Sequence, residues 1–153
     1  MKIVRGAYMG TECAAPPSLG RYQLRGSKAE VDAAYDAAVA IALGEVGAGA
    51  APGEASVIVA THNRASVRAA AERMARLGID RAHPGVSFAQ IMGLADTLAH
   101  DVAAEGYNAR ALVVYGPFDD VFPWMLRRLE ENSDALGGAA QERGRGMFAH
   151  AGI

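Results

Sequence analysis

The sequence predicts an α/β fold built from four consecutive βα units. Residues 57–60 form an all-apolar run, which is typical of parallel strands covered on both faces. Residues 111–115 form a further apolar run, and residues 2–5 are β-branched and apolar in the middle. A partly alternating run at 86–91 predicts one more strand. Each run precedes a segment with helical spacing of apolar residues. Two architectures fit this pattern, an open doubly wound sheet or half of an eight-stranded barrel, and strand patterns do not separate them.

The first unit joins the strand at 2–5 to a helix that begins at Ser27. Gly, Pro and Ser are frequent between residues 10 and 26, which predicts a long irregular loop. Ser27 and Glu30 have the spacing of a capping box. The helix that follows carries one apolar stripe, made of Val31, Tyr35, Val39, Ala42 and Val46. Glycines end this helix, and residues 48–54 have the composition of a flexible linker.

Cap and stop residues mark the second and third units. Asn63 is expected to cap a helix that ends at Gly78. That helix presents Val67, Ala70, Met74 and Leu77 on one side. Gly93 is expected to open the next helix and Gly106 to close it. Its stacked apolar residues are Leu94, Leu98 and Val102.

The fourth helix follows the strand at 111–115 and carries the residues with the clearest chemistry. Asp119 or Asp120 is expected to cap it, with Pro123 in or near the first turn. Leu126 and Leu129 are expected to mark its inner side. The candidate ligand-binding residues lie at 123–132, where charge, aromatic bulk and helical spacing coincide.

Arg127 and Arg128 are adjacent, so their side chains project about 100° apart. Both reach one ligand only if the helix lies beside that ligand. Glu131 follows at i+4 and i+3 and can orient either guanidinium for a bidentate grip on a carboxylate or phosphate. Arginine before glutamate is the weaker order for helix stability, which favours a ligand role. The competing interpretation is a solvated helix face with ordinary ion pairs.

Composition excludes several classes of function. The 153 residues suit a single domain, and the net charge of −2 without a basic stripe argues against nucleic acid or anionic membrane as a partner. The single cysteine, Cys13, fits a reducing compartment. The four histidines lack metal-ligand spacing, so no metal site is expected. Residues 1–135 are expected to form the domain, and the Gly-rich residues 136–153 a weakly ordered tail.

Five segments of the chain resemble, in order, the strand-end signatures of proline dehydrogenase. They are residues 2–9, 60–63, 88–93, 115–117 and 124–132. The Val-Arg-Gly-Ala-Tyr strand and the Arg-Arg-x-x-Glu-Asn helix are specific, whereas the Thr-His-Asn turn alone is weak. The resemblance implies a distorted (βα)8 barrel that binds FAD, oxidises proline to 1-pyrroline-5-carboxylate and passes electrons to a quinone.

The resemblance also implies roles for individual residues. Arg127 and Arg128 would hold the substrate carboxylate, with Glu131 supporting them. The flavin would lie along Val4, Arg5 and Gly6, with Thr61 and His62 near its adenine-side moieties. Lys2 falls where some members carry an arginine close to flavin N5, and its charge would stabilise the reduced ring. Leu112 and Trp124 stand where the family usually has tyrosines of the proline pocket, which affects substrate fit.

On this resemblance the chain corresponds to strands five to eight and the last helix, so it is expected to be inactive alone. Open sheet edges predict self-association of the isolated chain. Eukaryotic members are mitochondrial, and bacterial members are cytoplasmic or bound at the inner membrane, which implies peripheral membrane association of the complete enzyme. The alternative from another class is a non-enzymatic half-barrel or open-sheet protein that binds a small carboxylate.

Overall fold

A computed structural model of the chain describes residues 1–5, 27–49 and 55–131. These residues form four strands and four helices in alternation. The strands are β1 (Lys2–Val4), β2 (Val57–Ala60), β3 (Val86–Ile91) and β4 (Ala109–Leu112). The helices are α1 (Lys28–Gly47), α2 (Arg64–Arg76), α3 (Asp96–Ala104) and α4 (Phe118–Glu131). The predicted α/β class with four consecutive βα units is confirmed.

The four strands form one parallel sheet in the order β1-β2-β3-β4. Each strand therefore pairs with the strand before it in sequence, as in consecutive units of a barrel. An open doubly wound sheet would instead reverse its strand order and carry helices on both faces. This sequential strand order is the one expected for half of an eight-stranded parallel barrel.

The apolar core lies between one face of the sheet and the helices. Val59 and Phe88 pair in register on this face and are 0% and 1% exposed. Ile3 packs against the same core from β1, and Tyr107 contacts Phe88 edge-on with ring centroids 5.4 Å apart. The opposite face is less covered, since Ile58 and Ile91 are only half-buried. One face is therefore a packed core, and the other is open.

The predicted helix signals are largely confirmed. Ser27 caps α1 in a complete capping box with Glu30, and four of the five stripe residues are buried. Asn63 caps α2 by accepting a hydrogen bond from the amide of Ser66 at 3.1 Å. Gly78 has φ of +66°, which suits the glycine stop predicted there. A helix cap depends on residues only a few positions apart, so the sequence alone predicts it.

Two boundaries differ from the prediction. β4 begins at Ala109 rather than 111 and ends at Leu112, which pairs with Ile91, the last residue of β3. A strand extends only as far as its neighbour offers hydrogen-bonding partners. Helix α3 begins at Asp96 rather than near Gly93, because the Asp96 carboxylate accepts the Gly93 amide at 2.9 Å and closes a turn before the helix.

Some predictions lie outside the described residues. They are the irregular loop at 10–26, most of the linker at 48–54, Gly6, and the proposed tail at 136–153. The backbone of Glu131 ends α4, but its side chain is also outside the described part. Among the helices in residues 27–49 and 55–131, none combines the length and apolar character that a membrane span requires.

Candidate functional site at the carboxyl edge of the sheet

The carboxyl ends of β1 and β2 bring four of the predicted site residues together: Val4, Arg5, Thr61 and His62. Val4 pairs with Ala60, so Arg5 and Thr61 follow at adjacent strand ends. Thr61 is buried, whereas Val4 is half exposed, at 49%. In parallel α/β folds this edge is where ligands bind. The sequence-based prediction that these residues share one site is consistent with this geometry.

The Arg5 side chain lies on the helix-covered face of the sheet. Its guanidinium forms an ion pair with Asp32 of α1 and donates a hydrogen bond to the Ser66 hydroxyl at 3.3 Å. Burial lowers the pKa of Arg5 from its ordinary value, and the nearby Asp36 carboxylate acts in the opposite direction. These contacts tie β1 to α1 and α2. Arg5 therefore presents its backbone, rather than its charge, to the sheet edge.

The turn after β2 is held by a network of short polar contacts. The Thr61 hydroxyl accepts the Asn63 amide at 3.1 Å, and the Thr61 carbonyl accepts the Gln90 side-chain amide at 3.2 Å. His62 Nε2 accepts the amide of Ile91 at 3.0 Å. The contact fixes His62 against the end of β3.

Lys2 lies at the start of β1, paired with Ile58. Since Ile3 packs into the core, Lys2 and Val4 point to the open face of the sheet. Arg110 of β4 lies on that same face, where its Nε donates to the Ser87 hydroxyl at 2.9 Å. Sequence reasoning missed Arg110, although an arginine inside an otherwise apolar run was a usable signal. The open face thus carries cations from both edge strands.

Helix α4 begins differently from the prediction. It starts at Phe118, and the Pro117 carbonyl accepts the amides of Asp120 and Val121 at 3.1 and 3.0 Å, so Pro117 holds the cap position. Asp119 and Asp120 lie in the first turn, where carboxylates favour the helix dipole. Pro123 lies inside the helix rather than in its first turn, and it removes one backbone hydrogen bond there.

The inner side of α4 was also predicted wrongly. Leu126 and Leu129 are 45% and 39% exposed, whereas Trp124 and Arg128 are half-buried. The guanidinium carbon of Arg128 lies over the Trp124 ring, 5.4 Å from its centroid. Arg127 is exposed. The two arginines therefore occupy different environments, which their adjacency in sequence did not reveal.

Within the described segments, no three His, Cys, Asp or Glu side chains come close enough together to hold a metal ion. Leu112, at the end of β4, is 39% exposed and adds an apolar surface. The described part of the chain is a parallel α/β protein with a candidate ligand site at the carboxyl edge of its sheet and two arginines on α4.

Comparison with known proteins places the chain in a family of oxidoreductases. The family model described as proline dehydrogenase matches residues 1–141. Proline dehydrogenase 1 of Homo sapiens, a mitochondrial protein, is 34% identical over 143 residues, which cover 93% of this chain and 23% of the human protein. The mitochondrial proline dehydrogenase 1 of Arabidopsis thaliana is 31% identical over 143 residues, covering 93% of this chain and 28% of its own length.

The chain belongs to the proline dehydrogenase family. It also matches the hydroxyproline dehydrogenase of Xenopus laevis, with 41% identity over 88 residues, which cover 58% of this chain and 19% of that protein. The chain thus spans about a quarter of the length of these curated relatives. No solved structure matches it significantly.

Proposed function

We propose that this chain forms the substrate-carboxylate half of a flavin-dependent site that oxidises proline to 1-pyrroline-5-carboxylate, with a quinone as electron acceptor. The observation that carries the proposal is the pair Arg127 and Arg128 on α4, directly after β4, in a member of this family. Planar guanidinium groups grip a carboxylate in bidentate fashion. In this proposal Glu131 supports the pair from one turn further along the helix.

The residues proposed to hold FAD are Val4, Arg5, Gly6, Thr61 and His62. The described ones fit that role, because they form one continuous edge and His62 is fixed there by the Ile91 amide. Lys2, on the open face, adds positive charge near the site.

When bound, the flavin supplies the acceptor for a hydride equivalent. This chain supplies binding and orientation. A carboxylate held by two arginines fixes one end of the substrate, and this restricts the rotation of the ring that must meet the flavin. In this proposal Leu112 and Trp124 also line the substrate pocket with apolar and aromatic surface. They affect which ring fits, and both differ from the tyrosines implied by the resemblance.

The isolated chain is proposed to be inactive, because it supplies only four of the eight βα units that the resemblance implies. In the described sheet, β1 and β4 each have one edge without a strand partner. Such edges recruit other chains, so self-association is proposed for the isolated chain. The mitochondrial relatives support a mitochondrial location if the source is a eukaryote. Peripheral membrane association of the complete enzyme is proposed from the family resemblance alone.

A segment exchange tests the function. The segment of human proline dehydrogenase 1 that matches this chain is replaced by the corresponding residues of this chain, and proline-dependent bleaching of the bound flavin is measured. We expect bleaching, and we expect its loss when Arg127 and Arg128 are both changed to Ala. A folded exchange protein that binds FAD and proline without bleaching would refute the enzymatic proposal and favour a carboxylate-binding role.

The chain alone provides a second test. With added FAD, proline and a quinone analogue, we expect no turnover. Rates of about 1 per second or more, ordinary for complete enzymes, would contradict the view that the site is only partly present.

A further inference from the structure

Trp124 and Arg128 are one turn apart on α4 and contact each other. The guanidinium carbon lies 5.4 Å from the indole centroid, within the range of about 6 Å for a cation–π contact. Trp124 is the single tryptophan of the chain. Both side chains are half-buried, while the neighbouring Arg127 is exposed. The two arginines proposed to bind one carboxylate are therefore held in different ways.

A third half-buried residue lies near this pair on α4. Gly116, in the turn before the helix, has φ of 144°, and a Cβ there would lie 3.3 Å from Val121 Cγ2. Val121, Trp124 and Arg128 then fall on one helical stripe, since they are spaced three and four residues apart. All three are half-buried, so they form the inner stripe of α4.

We propose that Trp124 is a positioning residue for Arg128, and that its indole ring holds the guanidinium ready for a small carboxylate ligand. A guanidinium over a ring face keeps its N–H groups in its own plane, so the contact does not consume the donors that a carboxylate needs. Fixing the long side chain before binding also lowers the entropy lost on binding. This inference rests on the proposed function of the arginine pair.

Tryptophan is the aromatic residue that holds a cation most strongly over its face. The family resemblance implies tyrosine at position 124, so this chain has a stronger platform at that place. The prediction is that Arg128 is the more ordered of the two arginines and contributes more to carboxylate binding. Arg127, exposed and next to it, provides a matched control.

The first experiment measures the contact without any ligand. Tryptophan emission from the 153-residue chain reports the surroundings of Trp124 alone. We expect Arg128→Gln to change the emission intensity or maximum, Arg128→Lys to restore part of the parent signal, and Arg127→Gln to leave it unchanged. Equal spectra for the parent, Arg127→Gln and Arg128→Gln would show that the contact does not exist and would overturn the proposal.

The second experiment measures binding by calorimetry, with L-proline and cyclopentanecarboxylate as probes and pyrrolidine, which lacks a carboxylate, as the control ligand. Trp124→Leu is expected to weaken binding of both carboxylates by about two- to thirtyfold, the range of a cation–π contact. Trp124→Phe, which keeps a ring, is expected to weaken it less. Circular dichroism confirms that each variant remains helical.

A double-mutant cycle separates positioning from simple packing. If Trp124 acts through Arg128, Trp124→Leu has little further effect in an Arg128→Gln background but its full effect in an Arg127→Gln background. Additive losses in both backgrounds would overturn the positioning role. If the isolated parent chain binds neither carboxylate, the cycle is repeated in the human exchange protein, where absence of binding would reject the proposed function. The emission spectra of the 153-residue chain decide separately whether the contact exists, and their failure alone would overturn the positioning role.

Discussion

Replacing the two arginines of α4 one at a time, in the human exchange protein, gives the sharpest functional prediction. A charge-assisted hydrogen bond contributes about 1.5–3 kcal/mol, which corresponds to roughly ten- to hundredfold in kcat/KM. Arg128 is half-buried and lies over Trp124, so its loss should fall near the upper end of that range. Arg127 is exposed, so water screens its charge and its loss should fall near the lower end.

The assay is steady-state proline oxidation by Arg127→Ala and Arg128→Ala. Most of the loss should appear in KM, because a carboxylate is bound similarly in the ground state and the transition state. Lysine at either position should rescue only partly, since an ammonium group lacks the planar fork. Changing Glu131 to Gln should cause a smaller loss. Kinetics equal to those of the parent for both alanine variants would refute carboxylate binding by these residues.

The remaining predictions concern the isolated chain. Phe88→Ala, at a residue 1% exposed and in edge contact with Tyr107, should lower the free energy of unfolding by about 3–5 kcal/mol, and a urea midpoint equal to that of the parent would contradict this core assignment. Tyr35→Phe should be neutral or slightly stabilising in urea unfolding, because the buried Tyr35 hydroxyl has no hydrogen-bond partner within the described residues; a clear loss of stability would show that the hydroxyl is satisfied. Burial raises the pKa of Tyr35 and of Tyr107 above the ordinary value of about 10, so the unfolded chain releases these protons first. Stability from these two groups is therefore full below about pH 10 and is lost as the pH rises further, and Tyr35→Phe should reduce this alkaline loss; identical pH profiles of the two proteins would refute the assignment. Light scattering should show self-association at tens of micromolar through the open edges of β1 and β4, whereas a stable monomer would contradict that expectation.

Local chemistry was readable from the sequence. The capping residues Ser27 and Asn63 and the stop at Gly78 act within a few residues of chain, so their patterns predicted the helix ends that the structure shows. The apolar run at 57–60 and the partly alternating run at 86–91 likewise predicted β2 and β3, although one face of β2 is only half-buried rather than covered. Family membership followed from strand-end motifs, because those residues are constrained by chemistry rather than by packing.

Tertiary structure decided what depends on distant partners. Sequence patterns left open a doubly wound sheet or a half-barrel, and the order β1-β2-β3-β4 separates these because it depends on which strands pair. β4 ends at Leu112 because this residue pairs with Ile91, the last residue of β3. No local sequence pattern predicts that boundary. The Arg5 guanidinium forms an ion pair with Asp32, which lies 27 positions away in sequence. The contacts of Arg5 could therefore not be predicted from its place in a motif.

The orientation of α4 shows the same limit. Its apolar spacing predicted Leu126 and Leu129 on the inside, whereas the structure buries Trp124 and Arg128 more deeply. Hydrophobic periodicity tells which residues share a helix face, but the rotation of that face depends on where the preceding strand ends. The sequence alone determined that two arginines lie side by side, and the packing of the helix decided which of them lies over an aromatic ring.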